Sequence, residues 1–113
     1  MTAYAVAHMR HVTRGPPIVE YLQRIDATMA PFEGKFLVHG GEVQVMEGSW
    51  PGFLIVIEFP DHDRAMAWYN SEAYQQILPL RTDNSASDVI VVNGVGSGHR
   101  ATDVLSAPTA RAS

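Results

Sequence analysis

The stretch Phe53-Leu-Ile-Val-Ile-Glu-Phe59 constrains the fold more than any other part of the chain. β-Branched and aromatic residues fill it, and Pro60, which cannot donate to a strand ladder, closes it. Such a run reads as a strand. Successive strand side chains point to opposite faces. Phe53, Ile55, Ile57 and Phe59 therefore share one face, and Leu54, Val56 and Glu58 the other. A sheet with one wet face alternates apolar and polar residues. This strand is apolar on both sides, so both of its faces need cover.

The flanking sequence supplies cover for one face. Tyr4–Val12 reads as a first strand. After a turn at Arg14–Pro17, apolar residues recur at Ile18, Tyr21, Leu22, Ile25 and Met29, which is helical spacing, and Pro31 marks the end of that helix. Lys35–His39 reads as a second strand, interrupted by Gly40-Gly41 and resuming at Val43–Met46. After Pro60, Asp61 or Asp63 is placed to cap a helix carrying Ala65, Met66, Trp68 and Tyr69. Asn70-Ser71-Glu72 predicts a break with a fresh cap, then a helical piece with Tyr74, Ile77 and Leu78 that ends near Pro79. Asp83–Ser87 reads as a loop and Val89–Val92 as a fourth strand. The order β-α-β-β-α-β predicts an α+β domain over residues 1–94, an antiparallel sheet with two helices on one face. Residues 95–113, rich in Gly, Ser, Ala and Thr, read as a flexible tail. The helices leave the second sheet face bare, and a second copy of the chain is its simplest cover, so a homodimer is expected.

Composition excludes several classes of function. The chain has 113 residues, a formal net charge of -4 and no cysteine. Disulfides, thiolate catalysis and cysteine-bound metals are therefore excluded. Without a long basic run, neither nucleic acid nor an anionic membrane is an expected partner. No apolar run approaches the roughly 18 residues of a membrane helix, and Met1-Thr-Ala-Tyr leads straight into a strand pattern rather than a signal peptide. A cytoplasmic location is the expectation.

Several short pieces occur together in order. They are Gly40-Gly41, Glu47-Gly-Ser-Trp50-Pro51, the strand end Glu58-Phe59-Pro60, Ala67-Trp68-Tyr69-Asn-Ser71 followed by Tyr74-Gln75, and Pro79-Leu80-Arg81. In this combination, over about residues 3–94, the chain resembles the domain-of-unknown-function 1330 family. Glu72 departs from the family pattern, in which proline is common after the serine of the helix break. On the first strand, the family's basic or polar position is His8 or Arg10. The resemblance implies a ferredoxin-like subunit of the dimeric α/β-barrel superfamily, two sheets facing each other around a barrel-like cavity. That superfamily holds cofactor-independent oxygenases, lactone isomerases, polyketide-type cyclases, haem-handling proteins and ligand-binding regulators. Fold alone does not choose among them.

Glu58 is the first candidate for chemistry. A carboxylate in apolar surroundings must be paired, hydrogen-bonded or protonated. A strand between the first and second would place Glu58 beside His8 or Arg10 and His39, with Arg81 a further partner. Glu58 with His39 or His8 then reads either as a general acid/base pair or as a structural ion pair. His8, His11 and His39 with Glu58 have the residue types of a metal site, but no tight ligand spacing supports one, and no cofactor motif is present. Arg81 has the planar fork for a ligand carboxylate or for a salt bridge. Tyr69, Tyr74 and Trp68 serve either as core or as the wall of a substrate pocket. His62 reads as a solvated helix-start residue, and Gly94-Val-Gly-Ser-Gly98 as a linker rather than a phosphate loop. The expected function is small-molecule processing without a cofactor, by proton-transfer chemistry such as isomerisation, cyclisation or oxygenation. The alternative is a non-catalytic ligand-binding or stress-related module.

Overall fold

The computed structural model describes residues 1–106 of the 113. Its strands are β1 (Ala3–Val12), β2 (Lys35–His39), β3 (Phe53–Phe59) and β4 (Ser85–Asn93). Its helices are α1 (Pro16–Met29), α2 (His62–Tyr69) and α3 (Glu72–Thr82). The sheet is antiparallel with order β2-β3-β1-β4, the ferredoxin-like arrangement.

Local chemistry explains the helix ends. Proline occupies the first positions of α1, where its missing N–H costs nothing. The Asp61 carboxylate accepts from the Arg64 amide at 2.8 Å and caps α2. Ser71 Oγ accepts from the Tyr74 amide at 3.2 Å and caps α3, so the break at Asn70–Glu72 is a recapped turn. The helices pack on the face carrying Ala3, Ala5, Ile57 and Phe59, and the core they close includes Ile25, Met29, Trp68, Tyr74 and Ile77.

Three segments depart from the expected elements. Val43–Met46 forms no strand. The last ladder contact of β2 is His39 opposite Ile55, with Gly40 N–H donating to Leu54 O, and β3 begins at Phe53. No length of β3 remains to pair with Val43–Met46, and Val43, Val45 and Met46 are exposed. Helix α3 runs through Pro79 to Thr82, its last carbonyls taken up locally. Asp83 N–H donates to Pro79 O, Asn84 Nδ2 to Leu80 O and Ser85 Oγ to Arg81 O. Strand β4 starts at Ser85, inside the expected loop, because the Ser85 and Ser87 hydroxyls find partners on α3.

Beyond β4 the described chain carries a short 3-10 helix, Ala101–Ser106, whose residues are all exposed. The last part of the expected tail, residues 107–113, lies outside the described residues. Among the described residues no helix is long and apolar enough to cross a membrane.

Candidate functional site

A cavity of about 380 Å³ lies between the helix-bearing face of the sheet and α1. Ala5, Ala7 and Met9 of β1, Ile55 and Ile57 of β3, and Ile18, Leu22 and Ile25 of α1 make most of it apolar. Its size is at the small end of the roughly 300–1,000 Å³ typical of ligand sites. Val19, Leu22 and His39 are exposed where they border it, whereas Tyr21, Trp68, Tyr74 and Arg81 are buried. The cavity therefore has a wet mouth and a dry floor.

The floor holds the polar groups. Tyr74, Ile77 and Arg81 fall on one face of α3 at helical spacing, and the turn of helix beyond Pro79 carries Arg81 inward. Tyr21 on α1 meets Tyr74, hydroxyl to hydroxyl, at 2.7 Å. Arg81 is 6% exposed, and its Nη1 donates to Ser87 Oγ at 2.8 Å. Trp68 Nε1 donates to Thr28 Oγ1 at 2.9 Å, which leaves the indole face for the wall. Burial, reinforced by the adjacent Tyr74 hydroxyl, pushes the Tyr21 phenol well above the usual tyrosine range, and the opposing pull of Arg81 does not reverse this. Burial also works against the charge on Arg81, but the two tyrosine oxygens more than offset it. The floor thus presents a fixed cation and a protonated Tyr21 phenol beside the Tyr74 hydroxyl.

The expected residues divide between the two faces of the sheet. Arg81, Tyr74, Trp68 and His39 line the cavity, His39 with its ring stacked on Phe36 at 4.2 Å. Tyr69 packs against the core beside Tyr74 without lining the cavity. Glu58, His8 and Arg10 are on the opposite face. Glu58 stands across from Tyr4 on β1 and Lys35 on β2, and its carboxylate pairs with Lys35 Nζ at 3.2 Å. The expected neighbours His8, Arg10, His39 and Arg81 do not flank it. His8 is opposite Leu54, four residues along β1 from Tyr4, or roughly 13 Å at strand rise. It stacks on Trp50 at 4.0 Å, with Nε2 2.8 Å from Pro51 O. Arg10 Nε pairs with Asp88 at 3.0 Å. His8 and His39 are on different faces, and among the described residues no three His, Asp or Glu side chains gather as a metal site.

Tyr21 lines the floor and Ser87 accepts from Arg81 without lining the cavity; both were absent from the expected set. For Tyr21 the signal was a hydroxyl within the apolar stripe of α1; for Ser87 there was none, because its role follows from the register of β4.

An α+β domain of ferredoxin-like topology with a cavity under its helices is a class shared by many small proteins. The family model "Domain of unknown function (DUF1330)" matches residues 2–95, and the chain belongs to that family. Among solved structures, the RPA0582 protein of unknown function from Rhodopseudomonas palustris is similar at a TM-score of 0.66 and 12% identity, over 85% of this chain and 84% of that one. A dimeric ferredoxin-like protein of unknown function from Jannaschia sp. CCS1 is similar at 0.63 and 10%, over 83% and 100%. SnoaB, a cofactor-independent oxygenase from Streptomyces nogalater, is similar at 0.53 and 13%, over 85% and 94%. At these identities the likeness is one of fold. No curated protein matches the chain.

Proposed function

We propose that this chain processes a small apolar molecule in the cavity beneath α1, moving a proton on an activated carbonyl compound without a bound cofactor. The observation that carries this reading is a mostly apolar cavity in which a few polar groups converge at one end, with an imidazole at its mouth. His39 would serve as the base, the role for which imidazole is suited. Arg81, Tyr74 and Tyr21 would hold the substrate oxygen, and Trp68 would bound the ring or chain. Isomerisation, cyclisation and oxygenation all begin with such a proton removal. The likeness in fold to a cofactor-independent oxygenase supports the same direction.

The chain would act as a homodimer. Val6, Leu54, Val56, Ile90 and Val92 share the sheet face that no helix covers, and a second copy would cover them. Solved proteins of similar fold are described as dimeric. Glu58 and Lys35 would then brace that seam.

A non-catalytic ligand-binding module is the second reading. It is favoured by the separation of Glu58 from the cavity, which leaves His39 without a carboxylate partner among the cavity-lining residues. Deuterium wash-in at the carbon beside the carbonyl of 2-tetralone and of 3-benzoylpropionate, followed by NMR, decides between them. Exchange above the buffer rate is expected, reduced about 100-fold in His39→Gln, the usual size of a general-base contribution, and unchanged in Glu58→Gln. Saturable binding with exchange no faster than buffer would establish the binding module instead.

A further inference from the structure

Arg81 is a buried cation without a counter-ion. Among the described residues, no carboxylate lies within ion-pair distance of its guanidinium, although the chain carries 12 Asp and Glu against 8 Lys and Arg. A buried, unpaired charge is costly and usually has a partner. The C-terminal end of α3 offsets part of this charge, since Arg81 stands in its last turn, but a helix end amounts to only about half an elementary charge. The cavity lining repeats the imbalance. It includes Arg14 and Arg81 and no acidic residue, so an acidic protein encloses an electropositive pocket.

From this we infer that the cavity takes an apolar molecule with one terminal carboxylate, the headgroup seated on Arg81 against the Tyr21–Tyr74 pair. This rests on the reading of the cavity as a ligand site and adds the class of ligand. Guanidinium has five N–H donors in a fork that fits a carboxylate in two-point contact. Ser87 occupies one end of that fork, and the Tyr21 and Tyr74 hydroxyl oxygens lie beside it. In the tyrosine pair one hydroxyl donates to the other, and the proton of the accepting hydroxyl is left to donate elsewhere. The floor therefore offers one positive charge, a partly free fork and one O–H, which suits a single carboxylate. A phosphate monoester would bring a second negative charge into the same dry site with no second buried cation to meet it. The apolar body would lie along Ile25, Ile55, Ile57 and Trp68 toward the mouth.

Isothermal titration with 2-naphthoate, 2-naphthylmethanol and 2-naphthyl phosphate tests the assignment. The naphthoate is expected to bind about ten- to a hundredfold more tightly than the alcohol, the worth of a hydrogen-bonded charge. Arg81→Met should abolish that preference, weakening naphthoate far more than the alcohol. Tyr21→Phe, which keeps the ring, should weaken naphthoate binding severalfold and provides a second reading should Arg81→Met fail to fold. Arg14→Met, at the mouth, should retain the preference. Equal binding of acid and alcohol would overturn the headgroup assignment and leave the cavity reading standing, as would a preference that survives Arg81→Met. Tighter binding of the phosphate would overturn the carboxylate class. Failure of all three probes to bind would overturn the cavity reading, and this inference with it.

Discussion

Phe59→Ala is expected to remove about 3–5 kcal/mol of folding stability, as large-to-small changes at fully buried aromatic sites do. Phe59 is 0% exposed and ends the strand that faces both the helices and the open side of the sheet. Its ring lies against Trp68 at 5.4 Å and fills the space that a side chain on Gly34 would need. The ring therefore joins β3, α2 and the turn before β2, and the void left by alanine has no single neighbour able to close it. Small domains have total stabilities of roughly 5–15 kcal/mol, so the variant would lose much of its margin. Urea unfolding followed by tryptophan fluorescence measures it. A midpoint shift worth less than about 1 kcal/mol would mean that the core does not depend on this packing. Phe59→Leu, which keeps most of the volume, should cost far less.

The second large effect is expected at Gly52, just before β3. Its φ of +80° is in the left-handed region, and a Cβ there would stand 1.7 Å from the carbonyl oxygen of Met9. That oxygen is main chain of β1, held by pairing on both sides, and cannot move aside. Gly48, at φ +74°, provides the comparison, because a Cβ there meets nothing within 4 Å. Gly48→Ala should cost about 1–2 kcal/mol from backbone conformation alone. Gly52→Ala should cost more than about 3 kcal/mol, conformation plus collision. It should also disturb the stack of Trp50 on His8, because Pro51 and Gly52 fix where that indole lies. Parallel thermal melts measure both. Equal costs at the two glycines would show that the β1–Gly52 approach is not as tight as described.

The two-sided apolar pattern of Phe53–Phe59 made the sheet, its facing and its need for a second cover legible from sequence. A strand's alternation is local and survives any error in what lies beside it. The surroundings of Glu58 were not legible, because cross-strand neighbours depend on register. One strand residue stands opposite Glu58 on each side, and these are Tyr4 and Lys35 rather than a histidine. The floor was half legible. Tyr74 and Arg81 stood out as residue types, but ending α3 near Pro79 hid that both lie on one helical face with Ile77. Proline usually ends a helix. Here the last turn persists because Asn84 and Ser85 satisfy its carbonyls through side chains, which no pattern of hydrophobicity reports.

A crystal structure of the protein with 2-naphthoate would test most directly whether the working site lies under α1 rather than at Glu58. The carboxylate is expected within hydrogen-bond distance of the Arg81 guanidinium, with the Tyr21 or Tyr74 hydroxyl on its second oxygen and the ring system against Trp68. A naphthoate held at the mouth on Arg14, or on the open sheet face beside Lys35 and Glu58, would contradict it.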